Sequence, residues 1–111
     1  MNRIDQYRAI IRRVLQEVAD YYAGSSSLQT ELVFDDERSH YHVGEVAWDG
    51  DNRIDSVYIH IDLLRETVWI QSNRTDIRIG EELVKAGIPR DRIVLGFQHP
   101  DRRPDTDYAV A

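Results

Sequence analysis

Between Val57 and Ala111 the sequence runs strand, turn, strand, capped helix, proline stop, and then an apolar tail, Tyr108-Ala109-Val110-Ala111. Strands joined by turns this short pair with each other as antiparallel neighbours. The stop is equally specific: Gly87 suits a left-handed helix terminus, Ile88 the apolar contact that follows, and Pro89 blocks continuation. An apolar terminus predicts an end tucked against the body rather than frayed.

Upstream, the period changes once. Ile4, Tyr7, Ile11, Val14, Val18 and Tyr21 or Tyr22 recur at three- and four-residue steps, with Leu15 widening the stripe. This predicts a helix capped by Asn2 and packed on a sheet, with Arg12, Arg13, Glu17 and Asp20 outward and Gly24-Ser25-Ser26-Ser27 as the loop that ends it. From Leu28 the period is two. Leu28, Leu32 and Phe34 share a face of a first strand, Tyr41, Val43 and Ala47 of a second, Val57, Ile59 and Ile61 of a third, and Val68 and Ile70 of a fourth. Polar turns at Asp36-Glu37-Arg38-Ser39, Gly50-Asp51-Asn52 and Leu64-Arg65 connect them.

Making the apolar faces coincide fixes a register, since a one-residue slip would turn every apolar side chain outward. Val43 then pairs with Ile59, Tyr41 with Ile61, Ile61 with Val68 and Ile59 with Ile70, with Phe34 near Tyr41. The other face carries His40, His42, Val46, Trp48, Ile54, Tyr58, His60, Asp62 and Trp69, with His42 opposite His60 and His60 opposite Trp69. Asn73-Arg74-Thr75-Asp76 supplies N-cap candidates for a helix turning Ile79 and Leu83 inward. Ile93 to Phe97 reads as a short buried strand or extended arm, and His99 to Asp105 as irregular. The predicted fold is α+β: a four-stranded antiparallel meander with an N-terminal helix and a C-terminal helix packed on one face, plus an extended C-terminal arm. Residues 1–111 are expected to form one domain.

Composition removes several functional classes. Apolar content of 41% with 31% charged residues is that of a globular protein, and no apolar run approaches the roughly 20 residues of a membrane span. Arg3, Asp5, Arg8, Arg12 and Arg13 interrupt the apolar positions of the N-terminus, so no signal peptide and a cytoplasmic location are expected. The absence of cysteine excludes disulfides, thiolate zinc sites and cysteine nucleophiles. A net charge of −6 repels phosphate on average and counts against free-standing DNA binding.

Three constellations could carry chemistry. His40-x-His42 and His60-x-Asp62 fall on one face of adjacent strands at spacings compatible with a divalent ion. Histidines paired across a sheet are more often half-exposed neighbours, and no metal site is predicted. Trp48, Tyr58 and Trp69 could stack unpaired bases, but sheet-based RNA binders interleave aromatics with Lys and Arg, and only Arg53 and Arg65 stand nearby, at turns. An aromatic face of this kind better suits an oligomer or partner contact, or coverage by the chain's own tail. Arg102-Arg103 with His99 is neutralised by Asp101, Asp105 and Asp107, which favours a local salt-bridge network over a phosphate clamp. No catalytic triad, phosphate loop or paired catalytic carboxylate stands out, so no catalytic or cofactor-binding residue is predicted. The residues expected to make contacts are Trp48, Tyr58, His60, Trp69, Phe97, Arg102, Arg103 and Tyr108.

His60-Ile61-Asp62, Val68-Trp69-Ile70-Gln71, Glu82-Leu83-Val84, Gly87-Ile88-Pro89, Asp91 through Phe97, Pro100 and the terminal Tyr108-Ala109-Val110-Ala111 together resemble the XisI family, the fdxN element excision controlling factors of cyanobacteria. The resemblance extends through Arg38-Ser39-His40-Tyr41 and Gly44 to Trp48 and the opening helix. It departs at His42, where an amide is more typical, which counts further against a metal site. The resemblance implies a small α+β accessory factor in the excision of a DNA element during heterocyst formation, in which a separate recombinase cuts and joins the DNA. It implies a nuclease-like companion of the XisH type as partner and indirect association with a recombinase–DNA complex; cutting is not implied for this chain, which is expected to be no enzyme. Self-association through the aromatic face or tail is expected. The alternative is a nucleic-acid-binding accessory that helps place the recombinase on DNA, with a steep salt dependence.

Overall fold

The computed structural model describes residues 2–23 and 28–111. The serine loop expected at Gly24 to Ser27 lies outside the described residues, as does the side chain of Leu28. Helix α1 spans Arg3–Tyr22, and Asn2 caps it by accepting a 2.8 Å hydrogen bond from the Asp5 amide. The predicted stripe is the buried one: Tyr7, Ile11, Val14, Leu15 and Val18 enter the core, with Tyr22 half-buried and Tyr21 left outside.

Strands β1 (Leu28–Asp35), β2 (His40–Asp49), β3 (Asn52–Leu64) and β4 (Thr67–Asn73) form the antiparallel meander. A fifth strand, β5 (Ile93–Leu95), pairs with β4 in parallel, giving a mixed sheet in the order β1-β2-β3-β4-β5 rather than four strands and a free arm. β5 follows a helix, so the chain returns to the sheet in the same direction as β4. This is the crossover that parallel pairing requires. Beyond β5 the tail is not extended: Pro100–Asp105 coils as a 3₁₀ helix, and Ala109 then bonds back to β5 through its amide and the Ile93 carbonyl at 2.9 Å. Tyr108 and Ala109 are thus held against the body, while Val110 and Ala111, expected to be tucked in with them, are exposed.

Two bulges and the β3–β4 turn reset the predicted register. Val43 does face Ile59, Tyr41 faces Ile61 and His42 faces His60, but beyond Val43 the next pair is Gly44 with Val57, which leaves Tyr58 as the extra residue. A bulge inserts one residue and so inverts the inside–outside alternation on its strand. Tyr58 consequently turns inward, with its ring 5.9 Å from that of Tyr22, whereas Val57 is 42% exposed. Ile54, opposite Ala47, moves to the helix side as well. Between β3 and β4 the tight turn sets Leu64 opposite Thr67, so Leu63 pairs with Val68, Asp62 faces Trp69 and Ile61 pairs with Ile70, in place of the expected Ile61–Val68 and Ile59–Ile70 pairs. Beyond Ile70 the extra residue is Gln71, and His60 faces Ser72 instead of Trp69.

Helix α2 spans Ile79–Ala86 and adds Ile79 and Leu83 to the core beneath α1. Its terminus is as predicted: Gly87 has φ +122°, its amide bonds the Val84 carbonyl, the Ile88 amide bonds that of Leu83, and Ile88 is buried. The N-terminus is not. Arg78 occupies the cap position without a side-chain bond, while Asn73 and Thr75 spend their side chains on the Ile77 carbonyl and on each other, building the turn before the helix.

Candidate interaction surface

With α1 and α2 on one side of the sheet, the other side displays the outward positions of the strands. One row runs Asp35, His40, Asp62, Trp69; the next runs Val33, His42, His60, Ser72; and Trp48 pairs with Arg53 at the end of the β2–β3 hairpin. Trp48 is 59% exposed with the Arg53 guanidinium 5.0 Å from its ring, and Val33, Val57 and Leu64 add exposed aliphatic area. Of the residues predicted for this face, Trp48, His60 and Trp69 are on it. Tyr58 is not, because the bulge buries it.

At the centre of the face is a polar cluster. Asp62 Oδ1 lies 2.6 Å from His40 Nδ1 and 2.8 Å from His60 Nε2, while its Oδ2 accepts a 3.2 Å bond from Gln71 Nε2. Burial acts to raise the Asp62 pKa, but the hydrogen bonds from His40, His60 and Gln71 outweigh it and leave the carboxyl below its ordinary value. The His42 ring packs edge-on against His60 at 4.4 Å. Its pKa is lowered, first by burial and then by the neighbouring His60 charge. Gln71 was not singled out in the sequence, although alternation with the buried Val68 and Ile70 already turns it to this face; the bulge leaves it without a direct partner on β3.

The tail meets this face beside Trp69 and Gln71, where Gly96 lies against the Gln71 side chain. Arg103 donates to the carbonyls of Gln98 and Gly96 and lays its guanidinium 5.3 Å from the Trp69 ring, covering it in part. Of the salt-bridge network expected around Arg102, Arg103 and His99, the pair among the described residues is His99 with Asp101, at 3.6 Å. Arg102 is exposed, and Phe97 is half-exposed beside a cleft between α2 and the tail. Tyr108 closes that cleft: its hydroxyl donates to Glu81 at 2.7 Å, Arg90 grips the same carboxylate at 2.6 and 2.8 Å, and its ring crowds Gly80. Tyr108 is thus a latch within the chain.

The sequence matches the family described as XisI protein over residues 1–110. The chain belongs to the XisI family. Its fold is shared with a XisI-like protein from Anabaena variabilis ATCC 29413, whose crystal structure superposes with a TM-score of 0.89 at 39% identity, covering 97% of this chain and 99% of that one. The fdxN element excision controlling factor XisI from the same organism superposes with a TM-score of 0.84 at 27% identity, covering 99% and 100%. No curated protein matches. Since the XisI-like relatives are matched over almost their whole lengths, the likeness extends to the sheet, both helices' positions in the chain and the tail, and does not rest on one motif.

Proposed function

We propose that this XisI-family chain is a non-catalytic regulatory factor in the controlled excision of a DNA element, acting through protein contacts with an XisH-like partner. The observation that carries this reading is the outer sheet face. It has exposed Trp48, Val33, Val57 and Leu64 set among carboxylates, a composition that suits a protein contact more than a phosphate backbone. The two arginines nearest the tryptophans, Arg53 and Arg103, are engaged with their rings. With a net charge of −6, the surface complements a basic, nuclease-like cleft and could compete with DNA there.

Co-purification of the chain with its XisH-like companion at low and at high salt tests the pairing. A complex that forms at low salt and weakens with added salt is expected for a contact steered by charge. Absence of a complex at both salts would rule the pairing out. Filter binding with duplex and single-stranded DNA separates the alternative: sub-micromolar affinity with a steep salt slope would instead assign direct nucleic-acid binding.

A further inference from the structure

We propose that His40, His60 and Asp62 form a binding site for one divalent transition-metal ion of the zinc type, held across the β2–β3 pair on the outer face. Their ligand atoms, His40 Nδ1, His60 Nε2 and a carboxylate oxygen of Asp62, all lie within 4.8 Å of one another. Two ring nitrogens from different strands converge on one carboxylate oxygen, at 2.6 and 2.8 Å. Small rotations of three side chains then bring all three donors to the roughly 2.0–2.2 Å that zinc takes with nitrogen and oxygen.

The backbone makes this convergence rigid. His40 and Asp62 are direct partners across the ladder, and His60 precedes Asp62 by two residues on the same face, so no loop has to move to form the chelate. Gln71 holds the far oxygen of Asp62 and keeps the near one turned to the imidazoles, the supporting role that outer-shell amides play around metal ligands. The edge-on His42 ring fixes the plane of His60 from the other side. Two imidazoles and one carboxylate select first-row ions over calcium or magnesium, which prefer oxygen donors. The ion binds the lone pairs of His40 Nδ1 and His60 Nε2, with each neutral ring carrying its single proton on the other nitrogen. A proton held beforehand at the ligating nitrogen shifts to that other nitrogen in a neutral ring, or passes to solvent from a doubly protonated one. Three protein ligands leave the remaining position to water on the exposed side of His40, whose side chain is 48% accessible.

The purified full-length chain, stripped with a chelator, is titrated with Zn²⁺ by calorimetry and with Co²⁺ by visible absorption. One ion per chain is expected, with the intense visible bands of a four-coordinate Co²⁺ site. Binding should weaken by at least ~100-fold in His40→Gln, His60→Ala and Asp62→Asn, and by a smaller factor of roughly 10 in Gln71→Ala. His99→Ala, outside the group of converging ligands, should bind as the parent does. Circular dichroism before metal addition verifies the fold of each variant, and His40→Gln, at a half-exposed position, provides the test should the others unfold. Absence of a stoichiometric ion, or an affinity that His40→Gln leaves within about threefold of the parent, would overturn the site.

Discussion

Gly80 shows how one missing methyl group fixes the tail. A Cβ on Gly80 would stand 2.6 Å from the Tyr108 hydroxyl and 2.8 Å from the ring carbon that bears it, so the glycine is there to let the ring in. Gly80→Ala should therefore destabilise the chain by about 1–3 kcal/mol, as overpacking does. In a Tyr108→Ala background the same change should become neutral or stabilising, since alanine is the better helix former. Denaturant unfolding of the four proteins of this cycle measures the coupling. An equal loss in both backgrounds would mean that the ring is not what Gly80 accommodates. Gly44 has a comparable origin: a Cβ there would approach the Ser56 carbonyl oxygen to 2.8 Å, at the bulge. A glycine inside an alternating pattern is the signal that would have placed Tyr58 inward and Val57 outward. Without it, strict alternation put both on the wrong side.

The elements were legible to different depths for physical reasons. The α1 stripe, the paired centre of β2 and β3, and the stop after α2 each follow from local periodicity or from one conformational demand, and all three are present. The bulge in β4, the parallel β5 and the coil of the tail depend on contacts far apart in sequence, which periodicity does not report. The clearest such contact is the latch on α2. Glu81 is held down to about 2 from its ordinary 4.5, first by the hydrogen bonds from Arg90 and then by that from Tyr108. Tyr108 is pushed up to about 12 from 10.0, first by burial and then by Glu81. A depressed acid stabilises the fold above its unfolded pKa and loses that contribution as pH falls; a raised tyrosine does so below its unfolded pKa and loses it as pH rises. The latch should accordingly contribute fully between pH 4.5 and 10.0, fading toward 2 on the acid side and 12 on the alkaline side. Thermal melts of the parent and of Glu81→Gln across this range check it. Their difference in Tm should be flat through neutrality and shrink in acid; a difference that persists undiminished in acid would show that Glu81 acts through packing alone.

For the molecule as a whole, the candidate surface was legible in its ingredients and not in its arrangement. Trp48, Trp69 and the histidines could be assigned to one face by counting, and the same alternation puts Gln71 there beside Trp69, while Val57 reached it through a bulge. If the outer face serves assembly, Trp48→Ala combined with Val57→Asp should leave unfolding free energy within about 0.5 kcal/mol of the parent, as exposed substitutions do. The same pair of changes should abolish self-association or partner capture in sedimentation experiments. Undiminished association would move the contact elsewhere. The return of Ala109 to β5 has a separate consequence. It occupies the outer side of β5, so among the described strands main-chain pairing with another copy is left to β1 and to the stretch 52–57 of β3 that runs past β4. Two molecules joined along β1 about a twofold axis would consume that rim of each, so growth through β1 terminates at a pair instead of running on into a fibre.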